Sequence, residues 1–238
     1  MSLSVRNIRL FVLALWAAFL AWLWLSGQVL RYLGPRTSWV VTFGALTLVL
    51  VTLAYARSSA GAADARRAVS RGEAAGLLAM LTPILLALML SGSSLGALAA
   101  SKKLSARGVD LASLAESLSK GAADIDFLQI KAAGDDPQEG ETLGLSPGRQ
   151  VNLTGFVMKA GDSPKAPFTL GRFYITCCVA DAIPIGVTVD PTLAEGGFPA
   201  NTWLDVTGAL DNKSGSYVVD AERIEEVPEP SNPYLAFR

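Results

Sequence analysis

Three long apolar segments occupy most of the first hundred residues. Residues 10–25 carry no charged side chain, and the same holds for residues 39–56 and 77–100. A helix that crosses the hydrocarbon core of a bilayer needs about 20 residues, with a range of roughly 17–25. The second and third segments reach this length directly, and the first reaches it when its flanking residues are included. The pattern therefore predicts three membrane-spanning helices within residues 1–100.

The first segment also has features of a secretory signal peptide, because Arg6 and Arg9 precede its apolar stretch. Its apolar stretch is longer than the apolar core of a typical signal peptide, and residues 25–28 form a poor cleavage site. Trp22 and Trp24 fit the aromatic belt that marks a membrane–water interface. We therefore predict a helix that is retained rather than cleaved.

The predicted connection to the second half of the chain covers residues 101–148. Asp110 can cap a short amphipathic helix with a leucine face. That face contains Leu111, Leu114 and Leu118. Residues 131–148 are rich in Asp, Glu, Gly and Pro, which is typical of an exposed linker.

From residue 151 onward, apolar and polar residues alternate with a period of two, which is typical of half-buried strands. The predicted strands cover residues 151–159, 172–179, 186–189, 203–210 and 217–221. Turn residues separate them, among them Asp211 and Asn212. Five short strands in this space predict a small barrel of the OB type. The predicted fold class is a membrane-anchored, multidomain protein in which transmembrane α-helices precede an all-β OB-like barrel with a C-terminal tail in residues 149–238.

The two halves of the chain carry opposite charge. Residues 1–107 contain eleven Lys and Arg residues and two acidic residues. Residues 108–238 contain nine Lys and Arg residues and nineteen acidic residues. The acidic half disfavours nucleic acid as a partner, because phosphate binding needs a basic face. Six basic residues flank the spans on the side of the N-terminus and five on the other side. The positive-inside rule then predicts a multi-pass protein of the cell membrane, with the lipid bilayer as a partner and the barrel outside the cytoplasm.

The candidate chemistry is concentrated where both cysteines of the chain lie side by side. Cys177 and Cys178 are adjacent, and Asp181 follows them. Thiolates are soft ligands for transition metals such as zinc, and a carboxylate can complete or orient such a site. The chain contains no histidine. These three residues are therefore the predicted metal ligands, which leaves one position of a tetrahedral zinc site for a partner residue, water or a second protomer.

Strand alternation gives a different interpretation of the same residues. In a regular strand, Cys177 faces the core with Phe173 and Ile175, and Cys178 is the accessible thiol. Binding of one metal by both sulfurs requires the strand to break at this point and to bring them within about 4 Å of each other. Three interpretations stay open: a core strand, a metal or thiol site, and a recognition loop for a partner protein.

A set of short motifs in the second half carries a family resemblance. They are Gly155-Phe156-Val157, the run from Arg172 to Ala182 with its Cys-Cys-x-Ala-Asp-Ala block, Thr202-Trp203, Val206-Thr207-Gly208 and Asn232-Pro233-Tyr234-Leu235. In these motifs and in its apolar first half, the chain resembles the YcgQ-like family of uncharacterised bacterial membrane proteins. The Cys-Cys-x-Ala-Asp-Ala block is the most specific part of this resemblance.

The resemblance implies an accessory subunit that works beside a multi-span permease, with a link to the supply of zinc or another metal. The barrel would be its binding module. No catalytic residues are implied, so the expectation leans away from an enzyme. The alternative from a different class is an envelope thiol oxidoreductase or redox sensor that acts through Cys178, for which the sequence offers no evident cofactor.

Overall fold

The computed structural model describes residues 4–58, 62, 64, 69–90, 95–104, 126–133, 137–191, 197–213 and 216–235. The chain divides into two compact units, and the second begins at Leu95. The amphipathic helix predicted after Asp110 lies outside the described residues.

The first unit consists of apolar helices. The helices whose bounds lie within the described residues are α1 (Val5–Leu25), α2 (Trp39–Arg57), α3 (Arg71–Ala79) and α4 (Thr82–Leu90). Within the part of the chain that the structure describes, three stretches are long and apolar enough to cross a membrane: α1, α2, and the combined stretch Arg71–Met89 formed by α3 and α4. The predicted membrane-anchoring half of the fold is therefore confirmed.

The third apolar stretch begins earlier than the predicted residue 77. Ser70 starts it with a capping box, in which the Ser70 hydroxyl accepts from the Glu73 N–H and the Glu73 carboxylate accepts from the Ser70 N–H, both over 3.2 Å. The break between α3 and α4 lies just before Pro83, which has no N–H to donate to the preceding turn. The indole N–H of Trp16 donates to the Met80 carbonyl at this break over 3.2 Å. The polar backbone atom exposed by the break thereby gains a partner.

Among its described residues, the second unit contains a barrel and three short α-helices. The helices are α5 (Ala97–Leu104), α6 (Phe127–Ala133) and α7 (Pro137–Thr142), and the strands are β1 (Gln150–Lys159), β2 (Phe168–Tyr174), β3 (Ile183–Asp190), β4 (Trp203–Lys213), β5 (Ser216–Glu226) and β6 (Tyr234–Leu235). The order around the barrel is β1-β2-β3-β5-β4, and β4 pairs with β1 again. Only the β3–β5 pair within this ring is parallel. This is OB-type topology, which confirms the predicted barrel.

Two glycines let neighbouring strands of the barrel approach each other: Gly155 lets β1 approach β2, and Gly171 lets β2 approach β3. A Cβ atom at Gly171 would lie 2.3 Å from the carbonyl oxygen of Ile185, and one at Gly155 would lie 2.8 Å from that of Gly171. Both neighbours are backbone atoms that cannot rotate away. Only glycine fits at these two positions without displacing a strand.

The interior of the barrel is filled from one face of each strand and from α6. Leu153, Leu170 and Leu204 are fully buried there, and Phe127 from α6 packs with them. Leu145 also belongs to this core. Residues 131–148 were predicted as an exposed linker. This prediction is wrong for Leu143 and Leu145, which follow α7 and are buried in the core.

A second hydrophobic cluster covers part of the outer face of the barrel. It contains Ala97, Ala100, Phe156, Met158, Phe173, Ile175, Ala182, Trp203 and Tyr234. The side-chain oxygen of Asn201 accepts from the Ala97 N–H over 2.6 Å and starts α5. Residues 97–100 thus belong to the second unit, although the apolar pattern predicted them as the end of the third span. Residues that face lipid and residues that pack against the barrel are both apolar, so the sequence pattern could not show where the span ends and the barrel contact begins.

Candidate metal site

The thiol loop, residues 175–182, connects β2 to β3. Strand β2 ends at Tyr174, and a short 3₁₀ helix covers Val179–Asp181. The predicted strand over 172–179 is therefore wrong beyond Tyr174. Cys177 is exposed and Cys178 is half-buried, so the expectation of a buried Cys177 is also wrong.

The strand ends here because the Asp181 carboxylate binds the backbone N–H groups that a continuing strand would use. Its Oδ1 accepts from the N–H of Thr176 over 3.0 Å. Its Oδ2 accepts from the N–H of Cys177 over 2.8 Å and, at 3.4 Å, from that of Cys178. The N–H of Asp181 donates back to the Cys178 carbonyl over 3.1 Å. One carboxylate thus folds the loop around itself.

This fold brings the three predicted ligands together. The sulfurs of Cys177 and Cys178 lie 3.7 Å apart, and one ligand atom from each of Cys177, Cys178 and Asp181 lies within 4.8 Å of the others. Two thiolates at about 2.3 Å from one tetrahedral zinc ion would lie roughly 3.8 Å apart. The spacing of the sulfurs therefore fits a tetrahedral metal, and the geometric condition for joint binding is met.

The Asp181 carboxylate also affects the protonation of the thiol loop. Burial by itself raises the pKa of Asp181, but hydrogen bonds from the Cys177 thiol and from three backbone N–H groups outweigh it and lower that pKa. The hydrogen bond to Asp181, with that to Cys178, raises the pKa of the Cys177 thiol to about 11. Without metal, Cys177 is therefore protonated at neutral pH. A metal ion that binds its sulfur must displace this proton.

The second hydrophobic cluster holds both ends of the thiol loop. Ile175 and Ala182 are buried, at 1% and 3% exposure, against Phe173 and Tyr234. The apolar ends are fixed while the polar centre faces solvent. The loop thus presents its thiols from a packed base, which is what a preorganised ligand set requires.

Sequence reasoning missed two parts of this arrangement. Asp181 was considered as a metal ligand but not as the acceptor that ends β2; its position four residues after Cys177 was the available signal. Arg172 lay within the family motif and received no role. It donates through Nε to the carbonyl of Pro233 over 3.2 Å, a contact across 61 residues that local patterns do not reveal.

Comparison with known proteins gives a family match in the barrel region. Residues 144–236 match the sequence model of the DUF1980 C-terminal domain. The match includes the thiol loop and the whole barrel, and it agrees with the expectation of an uncharacterised family. A search of curated proteins finds no match. The YcgQ-like assignment and the permease role stay predictions.

Proposed function

We propose that the protein is a membrane-anchored accessory subunit of a permease, and that its barrel binds a transition metal, with zinc as the best fit. Cys177, Cys178 and Asp181 are the proposed ligands. The observation that carries the metal-binding part of this proposal is the 3.7 Å separation of the two sulfurs, since neighbouring residues of a regular strand point to opposite faces. The thiol loop departs from strand geometry in the way that joint binding requires.

The composition of the apolar helices supports an accessory rather than a transporting role. The central parts of the three spans, residues 10–25, 39–56 and 77–90, contain no Asp, Glu, Lys or Arg. The charged residues of these helices, among them Arg9 and Glu73, lie near the helix ends. Proton and ion pathways through membranes usually need such residues in the spans. In this proposal the helices cross the cell membrane three times, the barrel lies outside the cytoplasm, and a multi-span partner supplies the pore.

Metal binding can be tested by calorimetry on the full chain in mild detergent. We expect one zinc ion per chain, with affinity reduced about tenfold or more in Cys177→Ser and in Cys178→Ser. Asp162→Asn is the matched control, because Asp162 is an exposed carboxylate of the β1–β2 connection. Equal zinc affinities in the wild type and both cysteine variants would contradict the proposal.

Proton release provides a second test of the same site. Because the pKa of Cys177 is about 11 without metal, zinc must displace at least this proton at neutral pH. Calorimetry in two buffers with different ionisation enthalpies should report at least one proton per zinc. Zinc affinity should accordingly rise with pH, and an affinity that is independent of pH would show that the thiol is not a ligand.

The permease part of the proposal needs a separate experiment. We expect the chain to co-purify from its native membrane with a multi-span protein in mild detergent. Recovery of the chain alone, under conditions that preserve other membrane complexes, would count against this part and leave the metal site untouched.

The close approach of two thiols also supports the alternative, a thiol oxidoreductase acting through Cys178. Two observations weigh against it. The raised pKa of Cys177 keeps its thiol protonated at neutral pH, so Cys177 would be a slow second thiol to attack a mixed disulfide formed at Cys178. A disulfide between adjacent residues is strained, because bridged Cα atoms usually lie farther apart than one peptide allows. A low pKa measured for Cys178, with turnover abolished in Cys178→Ser, would favour the redox role.

A further inference from the structure

The short strand β6 pairs with β2 directly before the thiol loop. Tyr234 and Leu235 run parallel to Phe173 and Tyr174. The N–H of Ile175, the first residue of the loop, donates to the Leu235 carbonyl over 3.0 Å. Two residues of strand form too few hydrogen bonds to stay in place by themselves. Their position therefore depends on the contacts that hold the neighbouring residues.

Arg172 provides two of those contacts. Its Nε donates to the carbonyl of Pro233 over 3.2 Å, and its Nη2 donates to the carbonyl of Asn232. Its guanidinium carbon lies 5.8 Å from the centre of the Trp203 ring. A guanidinium keeps its charge and presents donors in a rigid planar fork, so it suits two successive carbonyl groups.

The two carbonyl groups also stabilise the charge of Arg172, because its guanidinium is largely removed from solvent. Burial lowers the pKa of Arg172, and the Asp126 carboxylate offsets this only in part. A partly desolvated cation needs hydrogen-bond acceptors around it. The two carbonyls of residues 232 and 233 are such acceptors, so the arginine and the β6 segment stabilise each other.

The β6 segment and the thiol loop share one packed base. Tyr234 is 3% exposed and lies in the same cluster as Ile175 and Ala182, the two ends of the loop. Thr176 and Cys177, whose N–H groups donate to Asp181, follow Ile175 directly. A shift of β6 would move Ile175 and, with it, the backbone donors that set the position of the Asp181 carboxylate.

We propose that Arg172 is a positioning residue for the metal site, which holds residues 232–235 against β2 and thereby fixes the spacing of the Cys177 and Cys178 sulfurs. Its effect on metal affinity rests on the proposed function, whereas its effect on the order of the thiol loop does not. Groups that orient metal ligands typically change metal affinity by about 10- to 100-fold.

The test uses the full chain in mild detergent and compares Arg172→Met with Arg149→Met. Arg149 is a matched control, because its Nη1 also donates to a backbone carbonyl, that of Gly144, over 3.1 Å. Two properties are measured: Co²⁺ affinity with the sulfur-to-cobalt absorption band, and hydrogen exchange of the amides of residues 175–182 without metal. Arg172→Met should weaken Co²⁺ binding about tenfold or more, alter the band and accelerate exchange. Arg149→Met should change none of them.

The outcomes separate this inference from the proposed function. If the wild type binds no Co²⁺, the metal-binding part of the proposed function fails, and hydrogen exchange still decides whether Arg172 orders the loop. If Co²⁺ affinity and exchange are the same in Arg172→Met as in the wild type, the positioning role is refuted. Should Arg172→Met fail to fold by circular dichroism, a chain that stops at residue 231 removes β6 and leaves Arg172 in place. Wild-type affinity and exchange in that shortened chain would likewise overturn the inference.

Discussion

Replacing Asp181 by Asn should open the thiol loop, because one carboxylate accepts hydrogen bonds from the N–H groups of Thr176, Cys177 and Cys178. A hydrogen bond to a charged group contributes about 1.5–3 kcal/mol. Asp181 is half-buried, so solvent reduces this value, and the amide oxygen of Asn can replace one bond. We therefore expect a net loss of about 1–2 kcal/mol, or about 5- to 30-fold in the equilibrium for opening the loop.

The assay is amide hydrogen exchange of residues 175–182 in the metal-free full chain at neutral pH. Exchange should accelerate in Asp181→Asn by about the factor given by the opening equilibrium and stay unchanged in the exposed control Asp162→Asn. The pKa of Asp181 is lowered in the folded chain, so its contribution is present above the unfolded pKa of about 3.9 and is lost as pH falls through the folded value. The difference between wild type and Asp181→Asn should therefore vanish in acid. Equal exchange at neutral pH, or a difference that persists in acid, would refute this reasoning.

Further predictions concern the barrel and its helical cover, and thermal unfolding of the full chain in detergent checks them. Gly171→Ala should cost at least about 2–3 kcal/mol, because its Cβ would lie 2.3 Å from the Ile185 carbonyl. Gly76→Ala, with open space around it, should instead stabilise the chain by about 0.5–1 kcal/mol. Equal effects of the two substitutions would argue against the close approach of β2 and β3. Asn201 has a φ of 72° and caps Ala97, so Asn201→Ala should cost about 2 kcal/mol and Asn201→Gly only a few tenths. A larger loss in the glycine variant would rule out the left-handed backbone as the cause.

The apolar helices and the barrel could be predicted because both patterns are local. Long apolar runs and alternation with a period of two report directly which faces avoid water. The residues at which these helices and strands begin and end were harder to predict. Ala97 and Ala100 continue the apolar run of the third span, yet they pack against the barrel. Asp211 and Asn212 suggested a turn, but they continue β4, where the next residue, Lys213, pairs with Asp190 and Asp220.

The position of the candidate site in the chain could be predicted from the sequence, but its geometry could not. The adjacent cysteines and Asp181 pointed to the correct loop, whereas alternation placed Cys177 in the core. Alternation failed because a side chain, rather than a neighbouring strand, takes the backbone N–H groups after Ile175. The role of Arg172 depends on carbonyl groups 60 and 61 residues away, and a single sequence carries no sign of that contact.

The central claim, that both sulfurs bind one metal ion, is tested most directly by X-ray absorption at the zinc edge of the zinc-loaded full chain. We predict two sulfur neighbours at about 2.3 Å, with lighter oxygen or nitrogen ligands at about 2.0–2.2 Å completing a four-coordinate site. Cys178→Ser should reduce the sulfur count to one. A spectrum of the wild type with one sulfur neighbour or none would contradict joint binding by Cys177 and Cys178.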